Sequence, residues 1–174
     1  MKDCPSSARP LVAVVTPVYN GSAYLEATMR CVQQQTYDRI IHVVVDNNSS
    51  DSTPEIIDRY RSQRIELLTI RNDRLLPLKE NWTKAFCSAP AEATYVKILC
   101  ADDLMRRDCI ERFVEVAESD EKIEVVLSDD VFIDQVHRAN LPPDQTVFDG
   151  IEVTRKILDE SINWLPYHLS LIHI

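Results

Sequence analysis

The chain has 174 residues, 45% of them hydrophobic, which suffices for one domain with a sizeable core and is too apolar for a disordered segment. Its 28 acidic and 19 basic side chains give a formal net charge of -9, which argues against a broad nucleic-acid-binding face. That balance leaves room for one anionic ligand held through a metal, because a bound cation reverses the local charge.

Residues 1–10 read as a loose leader. Residues 11–16 (LVAVVT) form the first apolar, β-branched run and predict a strand. Pro17-Val-Tyr19-Asn20-Gly21 follows as a turn, and 23–35 predicts a helix. The second strand is predicted at 40–46 (IIHVVVD), with His42 inside it as a core or face residue. The polar stretch Asp46-Asn47-Asn48-Ser49-Ser50-Asp51 comes next, then a helix over 53–63. Ser52 can cap that helix, Pro54 needs no amide partner in the first turn, and Glu55 can close a capping box.

A third strand is predicted at 65–70 (IELLTI) and a helix at 78–88. A fourth strand at 95–99 (YVKIL) carries Lys97, which reads as an edge or solvent residue although it could reach toward a diphosphate. A helix at 107–118 and a strand at 125–129 complete the pattern, and 135–149, with two prolines and no periodicity, reads as a long loop. The closing Leu169-Ser-Leu-Ile-His-Ile174 completes no helix or strand pattern and reads as foreign sequence. Five cysteines, at 4, 31, 87, 100 and 109, form no C-x-x-C pair and read as small buried apolar groups of a reducing compartment. No run approaches the ~20 apolar residues of a spanning helix, and no signal core opens the chain, so a cytoplasmic protein is expected.

Near-continuous apolar strands alternating with helices predict an α/β fold. Its mainly parallel open sheet carries helices on both faces, within a single domain over 1–174 whose core spans about 10–165. In such sheets ligands bind beyond the carboxyl ends of the strands. There this chain gathers polar and acidic groups: Tyr19 and Asn20, then Asp46 to Asp51, then Asp102 and Asp103, then Asp129 and Asp130.

Asp102-Asp103 is the sharpest of these. Two adjacent carboxylates after an apolar strand suit a hard divalent cation, and such a cation can bridge a diphosphate. Taken alone, the pair suits a helix N-terminus equally well. The Asp46–Asp51 stretch fits either a turn with a helix cap or an acceptor surface for a base and ribose. Tyr19 offers a flat face to a nucleobase, or an aromatic packed on a turn.

Together and in this order, three segments resemble family-2 glycosyltransferases: VVTPVYNGSAYLEATMRCVQQQTY at 14–37, VVVDNNSSDST at 43–53 and YVKILCADD at 95–103. Asn81-Trp82 and LSDDVFID at 127–134 are similar to members that build surface polysaccharides. The resemblance implies a GT-A, Rossmann-like fold and inverting transfer of a sugar from a nucleotide-diphosphate donor to an acceptor hydroxyl, with Mn²⁺ or Mg²⁺ as cofactor. It implies that Pro17, Tyr19 and Asn20 line the nucleotide pocket and that Asp46 and Asn47 contact the base or ribose. Asp102 would face the ribose or metal, and Asp103 would bind the metal at the diphosphate. A glycan or a lipid-linked sugar is the acceptor it implies, with peripheral membrane association and no nucleic-acid partner.

Two departures from the family pattern bear on this. Asn47 stands where relatives often have an acid, so it accepts a base N–H without charge assistance. Cys100 likewise replaces an acid ahead of the metal pair. Asp149, Asp159 and Glu160, among the last acids, match no base motif, so the catalytic residue is expected beyond this chain and the acceptor half is incomplete. A binding module that holds the nucleotide and transfers nothing is the alternative. P-loop and dinucleotide fingerprints are excluded, because two glycines cannot build either loop.

Overall fold

A computed structural model describes residues 9–126, 130–132, 135–137 and 171–173. In chain order the elements are β1 (Val12–Val18), α1 (Leu25–Gln33), β2 (Ile40–Asp46), α2 (Thr53–Asp58), β3 (Glu66–Arg71), α3 (Leu78–Cys87), β4 (Tyr95–Ile98), α4 (Cys109–Ala117), β5 (Val125–Val126), β6 (Asp130–Phe132), β7 (Gln135–His137) and β8 (Leu171–His173). The chain divides into two compact units, one comprising Met1–Val126 with Ser170–Ile174 and the other Leu127–Leu169.

In the first unit the sheet order is β3-β2-β1-β4-β8-β5. β3, β2, β1 and β4 are mutually parallel, in registers that pair Val14 with both His42 and Lys97. β1 is therefore the central strand from which the sheet grows in both directions. The crevice between β1 and β4 is the topological switch point at which such sheets bind ligands. β8 runs antiparallel between β4 and β5, although residues 169–174 show no strand pattern of their own.

The β-branched runs form strands because both faces are covered. Every residue of β1 and β2 is buried. On one face Val12, Val14 and Tyr95 pack with Ile110, Phe113 and Val114 of α4, and Val18 and Val44 pack with Leu25 and Met29 of α1 and Ile56 and Ile57 of α2. On the other, Ala13, Val15, Val43 and Val96 pack with Ala85 of α3. Leu25, Met29 and Val32 recur at helical spacing and are fully buried, each contributing roughly 1.5–3 kcal/mol.

Several expectations are corrected. Ser52 makes no side-chain cap on α2. Instead the Asp51 carboxylate accepts the Thr53 N–H at 3.0 Å, and the Ser22 N–H at 3.0 Å on its other oxygen. Lys97 is buried, not an edge or solvent residue, because β4 is an interior strand and its side chain lies on the α4 face, Nζ 6.0 Å from the Phe113 ring centroid. Burial pushes its ammonium below the ordinary lysine range, against the pull of the Cys109 and Asp103 charges. Among the described cysteines none is fully buried: Cys31, Cys100 and Cys109 are half-buried and Cys87 is exposed. In the second unit, β6 and β7 pair antiparallel, so residues 135–137 are strand rather than loop. Of the strand predicted at 125–129 only Val125–Val126 is described, and Asp129, Asp149, Asp159 and Glu160 lie outside the described residues.

Candidate functional site

The exits of β1 and β2 are stitched together. The Asn47 N–H donates to the Val18 carbonyl at 2.8 Å. The Asn20 N–H donates to Ser49 Oγ at 2.9 Å, the Gly21 N–H to Thr53 Oγ1 at 2.8 Å, and the Ser50 N–H to Asn20 Oδ1 at 2.9 Å. Asn20 and Asn48 adopt left-handed backbone angles (φ 49° and 60°), which asparagine tolerates better than most residues. Pro17 costs no ladder bond. The Val15 carbonyl faces β4, so the Pro17 nitrogen faces that side too, where strand pairing has already ended at Val15–Ile98. Tyr19, 49% exposed, stands on this rim.

The β4 exit is held by α1. Thr28 is fully buried, and its hydroxyl approaches the Ala101 carbonyl at 2.8 Å and the Asp103 carbonyl at 3.0 Å. One turn on, Cys31 Sγ accepts the Met105 N–H at 3.1 Å and lies 3.3 Å from the Met105 carbonyl. Gln35 donates to the Arg106 carbonyl at 2.8 Å and accepts the Ile110 N–H at 3.2 Å. Sequence reasoning missed these three. Their signal is a polar Thr-Cys-Gln series at i, i+3 and i+7 beside an otherwise apolar helix stripe. Gly21 joins the two halves of the rim, since a side-chain carbon built on it lies 3.6 Å from Ala101 Cβ.

Asp102 is exposed and Asp103 half-buried. Each offers a carboxylate oxygen within 4.8 Å of the other and of Cys100 Sγ. Burial foremost, then the Asp103 charge and hydrogen bond, pushes the Cys100 thiol up to about 12. A thiol is a soft donor, so the donor set that fits a hard divalent cation is the two carboxylates.

Asp46 and Asn47 reach the rim with their side chains turned inward. Asp46 is 2% exposed. Its Oδ1 accepts the Ser49 N–H at 2.9 Å, and its Oδ2 lies 3.1 Å from Arg71 Nη1 as an ion pair without hydrogen-bond geometry. Arg71, absent from the sequence reading, also donates to the Ser49 carbonyl at 2.9 Å. Asp46 Oδ2 is thus a buried acceptor that no hydrogen-bond donor among the described residues satisfies. Asn47 is engaged by Asn72 and Leu76. His42 is buried in mid-sheet, its Nε2 2.9 Å from Thr16 Oγ1, and takes no part in the rim.

An open sheet of this order, with a carboxylate pair beyond the strand at the switch point, defines the GT-A class of nucleotide-sugar transferase folds. Residues 13–166 match Glycosyl transferase family 2, and the chain belongs to that family. It is 31% identical over 109 residues to TuaG of Bacillus subtilis, a glycosyltransferase assigned by name to teichuronic acid biosynthesis, covering 62% of this chain and 42% of TuaG. It is 30% identical over 113 residues to the glycosyltransferase GlyG of Streptococcus pneumoniae, covering 63% and 36%. The chain thus spans less than half the length of these relatives. Among solved structures it is similar to the mannosyltransferase PcManGT of Pyrobaculum calidifontis, in complex with GDP-Man and Mn²⁺, at 26% identity and TM-score 0.61, covering 68% of this chain and 35% of that one. S. aureus TarS 1–349 with UDP-GlcNAc shares the fold at 21% identity and TM-score 0.57, covering 63% and 31%. Among the described residues no helix is long and apolar enough to cross a membrane.

Proposed function

We propose that residues 1–174 supply the nucleotide-sugar-binding part of an inverting glycosyltransferase that moves a sugar from a nucleotide-diphosphate donor to the hydroxyl of a glycan or lipid-linked acceptor at the cytoplasmic face of a membrane. The observation that carries this reading is the shared rim, where the Asn20–Gly21 turn is bonded to the β2 exit and Ala101 of the β4 exit packs against the Val18 and Leu25 cluster. Tyr19, Pro17 and Asn20 line the nucleotide side. Asp46, ion-paired with Arg71 and holding the Ser49 N–H, stands with Asn47 on the base and ribose side.

Asp102 and Asp103 hold Mn²⁺ or Mg²⁺ at the diphosphate, with Asp102 toward the ribose. PcManGT, with its GDP-Man and Mn²⁺, supports this reading. When bound, such an ion supplies charge neutralisation as the diphosphate departs. The protein's part is positioning: α1 fixes the carboxylate loop through Thr28, and the β1–β2 stitching fixes the nucleotide wall. A base must take the acceptor proton during in-line displacement. The E. coli relative WfaP, a UDP-Glc:alpha-D-GlcNAc-diphosphoundecaprenol glucosyltransferase, 27% identical over 99 residues, supports a lipid-linked acceptor.

Calorimetry with UDP, dTDP and GDP, with and without Mn²⁺, tests the reading. One nucleotide should bind in a Mn²⁺-dependent way, and Asp103→Asn should weaken it at least about tenfold, or ~1.4 kcal/mol, with an unchanged melting temperature. A folded sample that binds none of the three sinks it. Release of free sugar from the donor by the same sample separates turnover from binding alone.

A further inference from the structure

The Asn47 carboxamide is turned into the protein and makes three hydrogen bonds there. Its Oδ1 accepts the Leu76 N–H at 2.9 Å and Asn72 Nδ2 at 2.8 Å, and its Nδ2 donates to the Leu76 carbonyl at 2.9 Å. One side chain thereby pairs with both backbone groups of one residue, as a neighbouring strand would. Asn72 extends the lattice: Nδ2 also donates to Asn81 Oδ1 at 3.0 Å, Oδ1 accepts Lys84 Nζ at 2.6 Å, and its N–H donates to the Asp46 carbonyl at 2.8 Å. Asn47, Asn72 and Asn81 are all buried, at 4%, 2% and 3% exposure, so every one of these bonds is costly to leave unmade.

The network joins the end of β2, the exit of β3 and the first turns of α3. Between them runs the segment 73–77, which has no helix or strand of its own and leads through Pro77 into α3. It lies beside the end of β2, where the Asp46 carbonyl takes the Asn72 N–H. We infer that Asn47 is a positioning residue: its carboxamide holds residues 73–76 against the end of β2 and makes them a fixed wall of the nucleotide cleft, so that the base meets this wall and not the Asn47 side chain.

The inference rests on the nucleotide-sugar reading above. Its sharpest consequence concerns the amide nitrogen. An acid at position 47 would set a carboxylate oxygen against the Leu76 carbonyl, turning a buried donor into a second acceptor. Such a change shifts the equilibrium it supports by about tenfold or more.

The test is N47D, compared with the wild-type chain in Mn²⁺ by calorimetry with UDP, dTDP, GDP and inorganic pyrophosphate, alongside hydrogen exchange at the Leu76 amide. Affinity for the preferred nucleotide should fall about tenfold, pyrophosphate affinity should hold, and the Leu76 amide should exchange faster. Unchanged nucleotide affinity overturns the inference whatever the exchange shows, and so does an equal loss for pyrophosphate, which would mark a general collapse of the rim. If N47D does not fold, Lys84→Met loosens the same lattice from its exposed end. It should cost about threefold in nucleotide affinity with pyrophosphate unchanged, and no change there overturns the inference. If the wild-type chain binds no nucleotide, the wall role falls with the proposed function, and the Leu76 exchange rates still show whether the clamp exists.

Discussion

The Thr28 hydroxyl, buried on α1, reaches the backbone carbonyl of Asp103 at 3.0 Å while bonding Ala101 at 2.8 Å, so one helix side chain holds the carboxylate loop at both ends. Thr28→Val keeps the shape and removes the donor. The two carbonyls that share its one proton then lose it, at a cost of about 1–2 kcal/mol in unfolding free energy. Mn²⁺ affinity, followed by electron paramagnetic resonance of the free ion, should fall about threefold to tenfold because the loop carrying Asp102 and Asp103 is released. A stability loss with unaltered Mn²⁺ affinity would show that the loop is held by other contacts.

The parallel core was legible because its cause is local. Strands buried on both faces must be apolar along their whole length, and β1 and β2 are. Asp46, Asp102 and Asp103 follow such runs in the main sheet, whereas Asp130, expected after a fifth strand at the same edge, stands in β6 of the two-stranded β6–β7 sheet. What escaped depends on partners distant in sequence. The bonds of Asn47 to Asn72 and Leu76 join residues 25 and 29 positions apart, and nothing next to Asn47 in the chain signals them. Lys97 reads as a solvent residue because its burial is set by α4 and the neighbouring strands, and Lys97 itself carries no sign of them. Ser52 is a good cap by type, yet Asp51 takes the α2 amide because the Ser22 N–H fixes that carboxylate in place. The strands at 135–137 and 171–173 are three residues each, too short for any periodicity to register.

Gly21 is required by close approach. A side-chain carbon there would lie 2.5 Å from Val18 Cγ2, nearer than real carbons pack. Gly21→Ala should therefore destabilise the chain by about 1–3 kcal/mol. Because Val18 is the atom in the way, combining it with Val18→Ala should recover part of the loss. Chemical unfolding of the two single variants and the double variant gives the coupling, expected to be favourable by about 0.5–1 kcal/mol or more. Strict additivity would mean that the turn, rather than Val18, resists the added carbon.

His42 makes stability depend on pH in a defined window. Burial lowers its imidazole from 6.5 to about 3, so the folded chain keeps it neutral while the unfolded chain takes up a proton below 6.5. Its contribution is complete above pH 6.5 and is lost as the pH falls from 6.5 toward 3, at about 1.4 kcal/mol per pH unit. Between pH 7 and 5.5, above the range in which carboxylates titrate, this amounts to about 1 kcal/mol. His42→Leu removes the titrating group while keeping the site apolar. Urea unfolding of both proteins across that interval should show the wild type losing about 1 kcal/mol more than the variant. Parallel pH profiles would mean that the ring is protonated or hydrated inside the fold, and the Thr16–His42 pair would then have to be a charged one.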